Sequence, residues 1–136
     1  MGDTSITRRI LLYIEEHLEK ELSLGKIAEE FSYSRFYLAR AFKADTGTTI
    51  YKYIQGRRLD EAARKLTETQ RPIVEIAYEA GYGSQQAFTQ TFRRVYLCAP
   101  QEYRHRGIFV PKQNRICMCM KDAGLSFEKS GGRMAA

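Results

Sequence analysis

The feature that most restricts what this chain can fold into is a phrase that it carries twice. Ile27-Ala28-x-Glu30-x-Ser32-Tyr33 returns as Ile76-Ala77-x-Glu79-x-Gly81-Tyr82, and Ser34-x-x-x-Leu38-x-x-x-Phe42 returns as Ser84-x-x-x-Phe88-x-x-x-Phe92. Both copies have the same mechanical content. A small alanine inside a short helix lets a second helix cross close to it. A tight turn follows, then a serine able to cap the next helix, then apolar residues at every fourth position. Two short helices joined steeply by such a turn form a helix-turn-helix. Either copy alone would also suit a plain helical hairpin, but two copies with the same small-residue, turn and cap spacing favour the helix-turn-helix. A solenoid is excluded by number, since two copies do not stack a continuous core.

The rest of the chain is written in the same helical period, so the expected fold class is all-α. Ile6, Ile10, Tyr13, Ile14 and Leu18 fall on one stripe of a first helix. Ser23 and Ser34 are placed to cap the next two, with Ile27, Ala28 and Phe31 inward on one and Leu38, Ala41 and Phe42 on the other; Gly47 stops the second of these. Thr48 or Thr49 opens the longest helix, which runs to about Leu66 with Ile50, Ile54, Ala62, Ala63 and Leu66 for packing. Pro72 suits the first turn of another helix that Gly81 ends, Ser84 caps the next, and Pro100 starts a short last turn. After Gly107 the pattern dissolves. "ICMCM" at 116–120 suits a short strand, and "EKSGGRMAA" reads as a frayed end.

Charge and composition narrow the partner. The 136 residues carry a net charge of +6, spread unevenly. Residues 1–50 hold seven basic and eight acidic side chains, 51–106 ten and six, and 107–136 five and two. A basic excess of this kind suits a polyanion. No apolar run is long enough to span a membrane, and the three cysteines, Cys98, Cys117 and Cys119, are too few and too late for a disulfide framework, which suits a reducing cytoplasm. His17 and His105 have no spaced partners, and no nucleophile elbow, phosphate loop or metal-ligand pair is present, so catalysis is disfavoured.

The letters that differ between the copies carry the chemistry. In the second helix of each copy the positions off the packing stripe are free to face a ligand. The first copy offers Arg35, Phe36, Ala39, Arg40 and Lys43; the second offers Gln85, Gln86, Thr89, Gln90 and Arg93. Arginine forks onto guanine O6 and N7, and glutamine pairs with adenine N6 and N7. The shared residues build a frame and the unshared ones read different base pairs. Phe36 has two readings, a core residue or a ring that packs on a thymine methyl or a sugar. The glutamines have a plain reading as a solvated face, against which stands their crowding at a helix start beside a serine. A helix from Thr48 to Leu66 would be about 28 Å long, against about 34–36 Å between half-sites one duplex turn apart.

With these motifs in hand, residues 6–106 resemble the DNA-binding domain of the AraC/XylS family of bacterial transcription regulators, through "RRLDEAARKL", "PIVEIAYEAGYGSQQAFTQTFRRVY" and "APQEYR". The resemblance implies a seven-helix bundle of two helix-turn-helix subdomains, 6–47 and 68–106, joined by a linker helix over 48–67. Carried across, it implies base-reading roles for Arg35, Phe36, Ala39, Arg40, Gln85, Gln86, Thr89 and Gln90, and phosphate contacts for Ser34, Tyr37, Lys43, Ser84, Arg93 and Arg94. It implies no cofactor, metal or catalytic residue. The implied partners are double-stranded promoter or operator DNA and RNA polymerase, with the chain a monomer on DNA.

Three departures from the family pattern stand out. Ala39 cannot make the polar contact that a longer side chain makes there. Leu97 occupies a position that is often glycine, and Ser32 replaces the turn glycine that Gly81 retains. The domain begins almost at residue 1, which resembles the stand-alone regulators, and 107–136 reads either as a disordered tail or as what remains of an effector domain. Two alternatives stand beside a plain DNA binder: a thiol- or metal-responsive regulator using Cys117 and Cys119 as soft ligands, and a helical protein-interaction module whose basic charge is incidental.

Overall fold

The computed structural model describes residues 4–112, 116–118 and 127–129. Among the described residues seven helices run in chain order: α1 (Thr4–Glu16), α2 (Leu24–Phe31), α3 (Arg35–Thr46), α4 (Ile50–Glu68), α5 (Ile73–Glu79), α6 (Gln85–Tyr96) and α7 (Pro100–Arg106). The expected all-α class is what the domain shows. Beyond it, a small antiparallel ribbon pairs β1 (Ile116–Met118) with β2 (Phe127–Lys129), Ile116 opposite Lys129 and Met118 opposite Phe127. The strand expected within 116–120 is therefore present over 116–118. Glu128 and Lys129, expected in a frayed end, are paired strand residues, and residues 130–136 of that expectation lie outside the described residues.

The chain divides into two compact units, with the division between Gln55 and Gly56. In the first, α1 to α3 and the start of α4 enclose a core in which Ile10, Ile14, Ile27, Leu38, Phe42 and Tyr53 have no exposed surface. The helix spacing explains who is inside. Ile6, Ile10 and Ile14 of α1 are buried at four-residue intervals, while Leu12 points to water. Leu18, expected as a further turn of α1, is buried but follows the end of the helix. In the second unit, the remainder of α4 joins α5 to α7 around Leu66, Ile76, Ala77, Phe88 and Phe92, all fully buried. Phe92 stacks on Tyr96 at 4.5 Å and meets Tyr103 edge-on at 5.3 Å.

α4 thus serves two cores, Ile50, Tyr53 and Ile54 in one and Leu59, Ala62, Ala63 and Leu66 in the other. Its start is decided by Thr49, whose hydroxyl accepts the Lys52 N–H at 3.1 Å. Its end is closed from a distance. Arg104 of α7 donates to the Leu66 carbonyl at 2.9 Å, to that of Arg71 at 2.7 Å and to that of Thr69 at 3.3 Å. One guanidinium thereby satisfies a carbonyl that the helix end leaves without an intrahelical partner, together with two in the segment that follows. Pro72, expected in the first turn of α5, sits one step earlier as its cap residue, with φ −59° and ψ 140°.

A buried polar group ties the second unit together. Asp60 is 1% exposed. It accepts the Tyr96 hydroxyl and, at 3.1 Å, the Lys112 N–H. Burial, followed by the facing Asp60 charge, raises the Tyr96 phenol well above its ordinary value, so it stays a donor. Val110 N–H donates to the Tyr103 hydroxyl at 2.9 Å, and Phe109 packs against the same core. Residues 109–112, expected as part of a loose tail, are therefore seated on the second unit.

Candidate nucleic-acid interface

The two copies of the repeated phrase fold alike down to their hydrogen bonds. Tyr33 N–H donates to the Ala28 carbonyl and Tyr82 N–H to that of Ala77, each at 3.1 Å, closing α2 and α5 in the same way. The turn residue is left-handed in both: Ser32 has φ 60° and Gly81 φ 94°. A Cβ on Gly81 would lie 3.3 Å from Nη1 of Arg58, the movable end of a long side chain. The next helix is capped by serine in both. Ser34 Oγ accepts the Tyr37 N–H at 3.0 Å and Ser84 Oγ the Ala87 N–H at 3.1 Å. A capping hydroxyl spends a lone pair on this bond and keeps its own proton for another acceptor.

The exposure pattern of α3 and α6 is almost the same, position by position. Leu38 and Phe42 in one, and Phe88 and Phe92 in the other, have no exposed surface. Arg35, Phe36 and Arg40 are exposed with Ala39 half-buried between them; Gln85, Gln86 and Gln90 are exposed with Thr89 half-buried. Lys43, Arg93 and Arg94 are exposed in the last turns, where cations also suit the negative end of the helix. Tyr37 and Ser34 are exposed and Ser84 is half-buried. All eight candidate base-reading residues and all six candidate phosphate residues thus lie outside the fully buried core.

Phe36 is decided by this pattern. It is 69% exposed, so the core alternative is wrong: the packing stripe of α3 is completed by Leu38 and Phe42. Its ring carries the Arg40 guanidinium, whose carbon lies 5.3 Å from the ring centre. Arg35 leans the other way. Its Nη2 would be 3.1 Å from a Cβ on Gly25, so the guanidinium lies against the first turn of α2. Tyr33 and Tyr37 stack at 5.0 Å on the surface. The corresponding Tyr82 instead turns its edge to Phe88 at 5.5 Å and is half-buried. The alignment of Tyr33 with Tyr82 could not foretell this divergence, whereas the i, i+4 spacing of Phe36 and Arg40 was a visible signal for their contact.

The second unit also holds an ionic cluster that the residue pattern did not announce. Glu79 of α5 accepts both guanidinium arms of Arg71, one at 2.8 Å, and Lys65 Nζ of α4 at 2.8 Å. The Arg71 bonds first, then Lys65, bring its carboxyl down to about 2. Glu30, its counterpart in the first copy, is exposed.

Comparison with known proteins agrees with this geometry. A model of a helix-turn-helix domain matches residues 7–106. The chain belongs to the AraC/XylS family of transcription regulators. It is 41% identical over 106 residues to the regulatory protein SoxS of Escherichia coli K12, covering 78% of this chain and 99% of SoxS. It is 40% identical over 102 residues to the multiple antibiotic resistance protein MarA of the same strain, covering 75% of this chain and 80% of MarA. Among solved structures, the C-terminal domain of AraT from Geobacillus stearothermophilus is 33% identical with a TM-score of 0.69, covering 74% of this chain and 84% of that one. The DNA-binding domain of AdpA, solved with a target DNA, is 25% identical with a TM-score of 0.67, covering 74% and 90%. AraC/XylS proteins are DNA-binding transcription regulators and not an enzyme family. Among the described residues no helix is long and apolar enough to cross a membrane. The soft-ligand alternative rests on Cys119 and on the side chain of Cys117, which lie outside the described residues; Cys98 is a buried free thiol.

Proposed function

We propose that this AraC-type chain binds promoter or operator duplex as a monomer, with α3 and α6 as its two reading helices in successive major grooves. The carrying observation is the matched exposure of α3 and α6: identical burial of the apolar frame, and different polar chemistry at the same open positions. Residues 6–47 and 68–106 would be the two reading subdomains, and 48–67 their linker. Arg35, Phe36, Ala39 and Arg40 would face one set of base pairs, and Gln85, Gln86, Thr89 and Gln90 another. Ser34, Tyr37, Lys43, Ser84, Arg93 and Arg94 would hold phosphates. Ala39 brings only a methyl, and so supplies apolar contact where a longer side chain would hydrogen-bond. A linker helix of about 28 Å is shorter than one duplex turn, and the remainder would be met by bending the DNA at about 1–6 kcal/mol. RNA polymerase would be the second partner, and the cytoplasm the site of action.

The test separates reading from gripping. Sites are selected from random duplex DNA, and binding to single-base variants of the selected site is measured for Gln86→Ala and Arg94→Ala. Gln86→Ala should relax preference at particular base pairs by about 1–3 kcal/mol, while Arg94→Ala should weaken all sequences alike and shallow the salt slope by about one. The same flat loss for both variants would overturn the assignment of the reading helices.

A further inference from the structure

The two reading helices put different chemistry at equivalent positions, and only the first pairs it internally. Where α6 has Gln86 and Gln90, α3 has Phe36 and Arg40, one helical turn apart on the open side. The Arg40 guanidinium carbon lies 5.3 Å from the centre of the Phe36 ring, within the range of a cation–π contact. Among the described residues no carboxylate pairs with Arg40. The ring is the partner that holds its head group.

We propose that Phe36 is a positioning residue for Arg40: its ring is a plate that presets the guanidinium, and it sets base preference at the pair Arg40 reads. The inference rests on α3 being a reading helix. A free arginine side chain must give up rotamer freedom before its planar fork meets a guanine edge. A head group already resting on a rigid ring has given up part of that freedom before binding, and the planar fork keeps its hydrogen-bonding edge free while its face lies on the ring. The folded state gains little from the ring. Phe36 is 69% exposed, outside the packing stripe of α3, and a benzyl group left in water needs a reason other than the core. Folding would be served as well by a polar residue, as Gln86 serves α6.

The consequence is a coupling that an independent apolar contact does not produce. If Phe36 only touched a thymine methyl, its removal would alter preference at its own base pair and leave that of Arg40 unchanged. As a plate, its removal also weakens discrimination at the Arg40 pair, and only while Arg40 is present.

The experiment is a double-mutant cycle on the full chain. Duplexes carrying every single-base change in a site selected by the unaltered chain are titrated with Phe36→Leu, Arg40→Ala and the double variant. Thermal melts confirm that the variants fold, as expected for two exposed side chains. Arg40→Ala identifies the pair it reads. Phe36→Leu should then lower discrimination at that same pair by about two- to fivefold, and should do nothing further there once Arg40 is alanine. Phe36→Trp, which restores an aromatic face, should recover the preference. Additive effects, or a Phe36→Leu effect confined to another pair, overturn the coupling and leave α3 a reading helix. A flat loss for Arg40→Ala on every duplex overturns both.

Discussion

Leu97 ends α6 in a conformation that costs a leucine free energy, and removing its side chain should stabilise the protein. Its φ is 66° and ψ 20°, in the left-handed region, where an L-residue brings its Cβ against the following carbonyl at about 1–2 kcal/mol. The Leu97 N–H also closes the helix on the Arg93 carbonyl at 2.9 Å. The side chain is 79% exposed, so it gains back only about 0.3–0.6 kcal/mol by burial. Glycine would relieve the strain and keep the N–H, but would widen the unfolded ensemble at about 0.5–1 kcal/mol. The balance for Leu97→Gly is a gain of about 0.3 kcal/mol, read as a melting point higher by about 1–2 °C. Leu97→Ala is the decisive control. It discards the same apolar surface while keeping the Cβ and hence the strain, so it should melt at or below the unaltered chain. Urea and thermal unfolding of the three proteins decide the matter: should Leu97→Gly be no more stable than Leu97→Ala, left-handed strain at this site is not what the leucine costs.

Two further outcomes follow from the second unit. Arg104→Ala strips three carbonyls of a charged donor and should lower stability by about 2–3 kcal/mol in urea denaturation. Arg104→Lys should recover only part, since one ammonium cannot span carbonyls that a planar fork reaches; full recovery by lysine would show that charge alone matters. Glu79 has a folded-state pKa of about 2 against an ordinary 4.5, set first by Arg71 and then by Lys65. A depressed carboxyl adds stability that is fully present above the unfolded value and fades as pH falls through the folded one. The stability gap between the unaltered chain and Glu79→Gln should therefore be level above about pH 5 and close between 4.5 and 2; a gap independent of pH in that window would refute the charged role.

Much of the frame was legible because its determinants are local. Serine caps at 23, 34 and 84 reach a backbone N–H three residues on, and the sequence shows both ends of that bond. The burial of Leu38, Phe42, Phe88 and Phe92 follows from four-residue spacing. The open positions of α3 and α6 are what that spacing leaves over. Periodicity left a second reading open at Phe36, which only the structure closes: Leu38 and Phe42 fill the interior and Phe36 stands outside it. Copies aligned letter for letter also diverged where their surroundings differ, as with Tyr33 on Tyr37 and Tyr82 on Phe88.

The amino-acid order by itself therefore determined the helical segments and the doubled motif, since each depends on backbone bonds and side-chain periods spanning a turn or two. Only tertiary structure decided which distant groups meet. Arg104 closes carbonyls 33 to 38 positions earlier, and Asp60 gathers the Tyr96 hydroxyl from 36 residues away and the Lys112 N–H from 52. No local pattern encodes such pairings. They form because a packed interior leaves its polar groups no water, and each must find whatever partner the folded chain brings within reach.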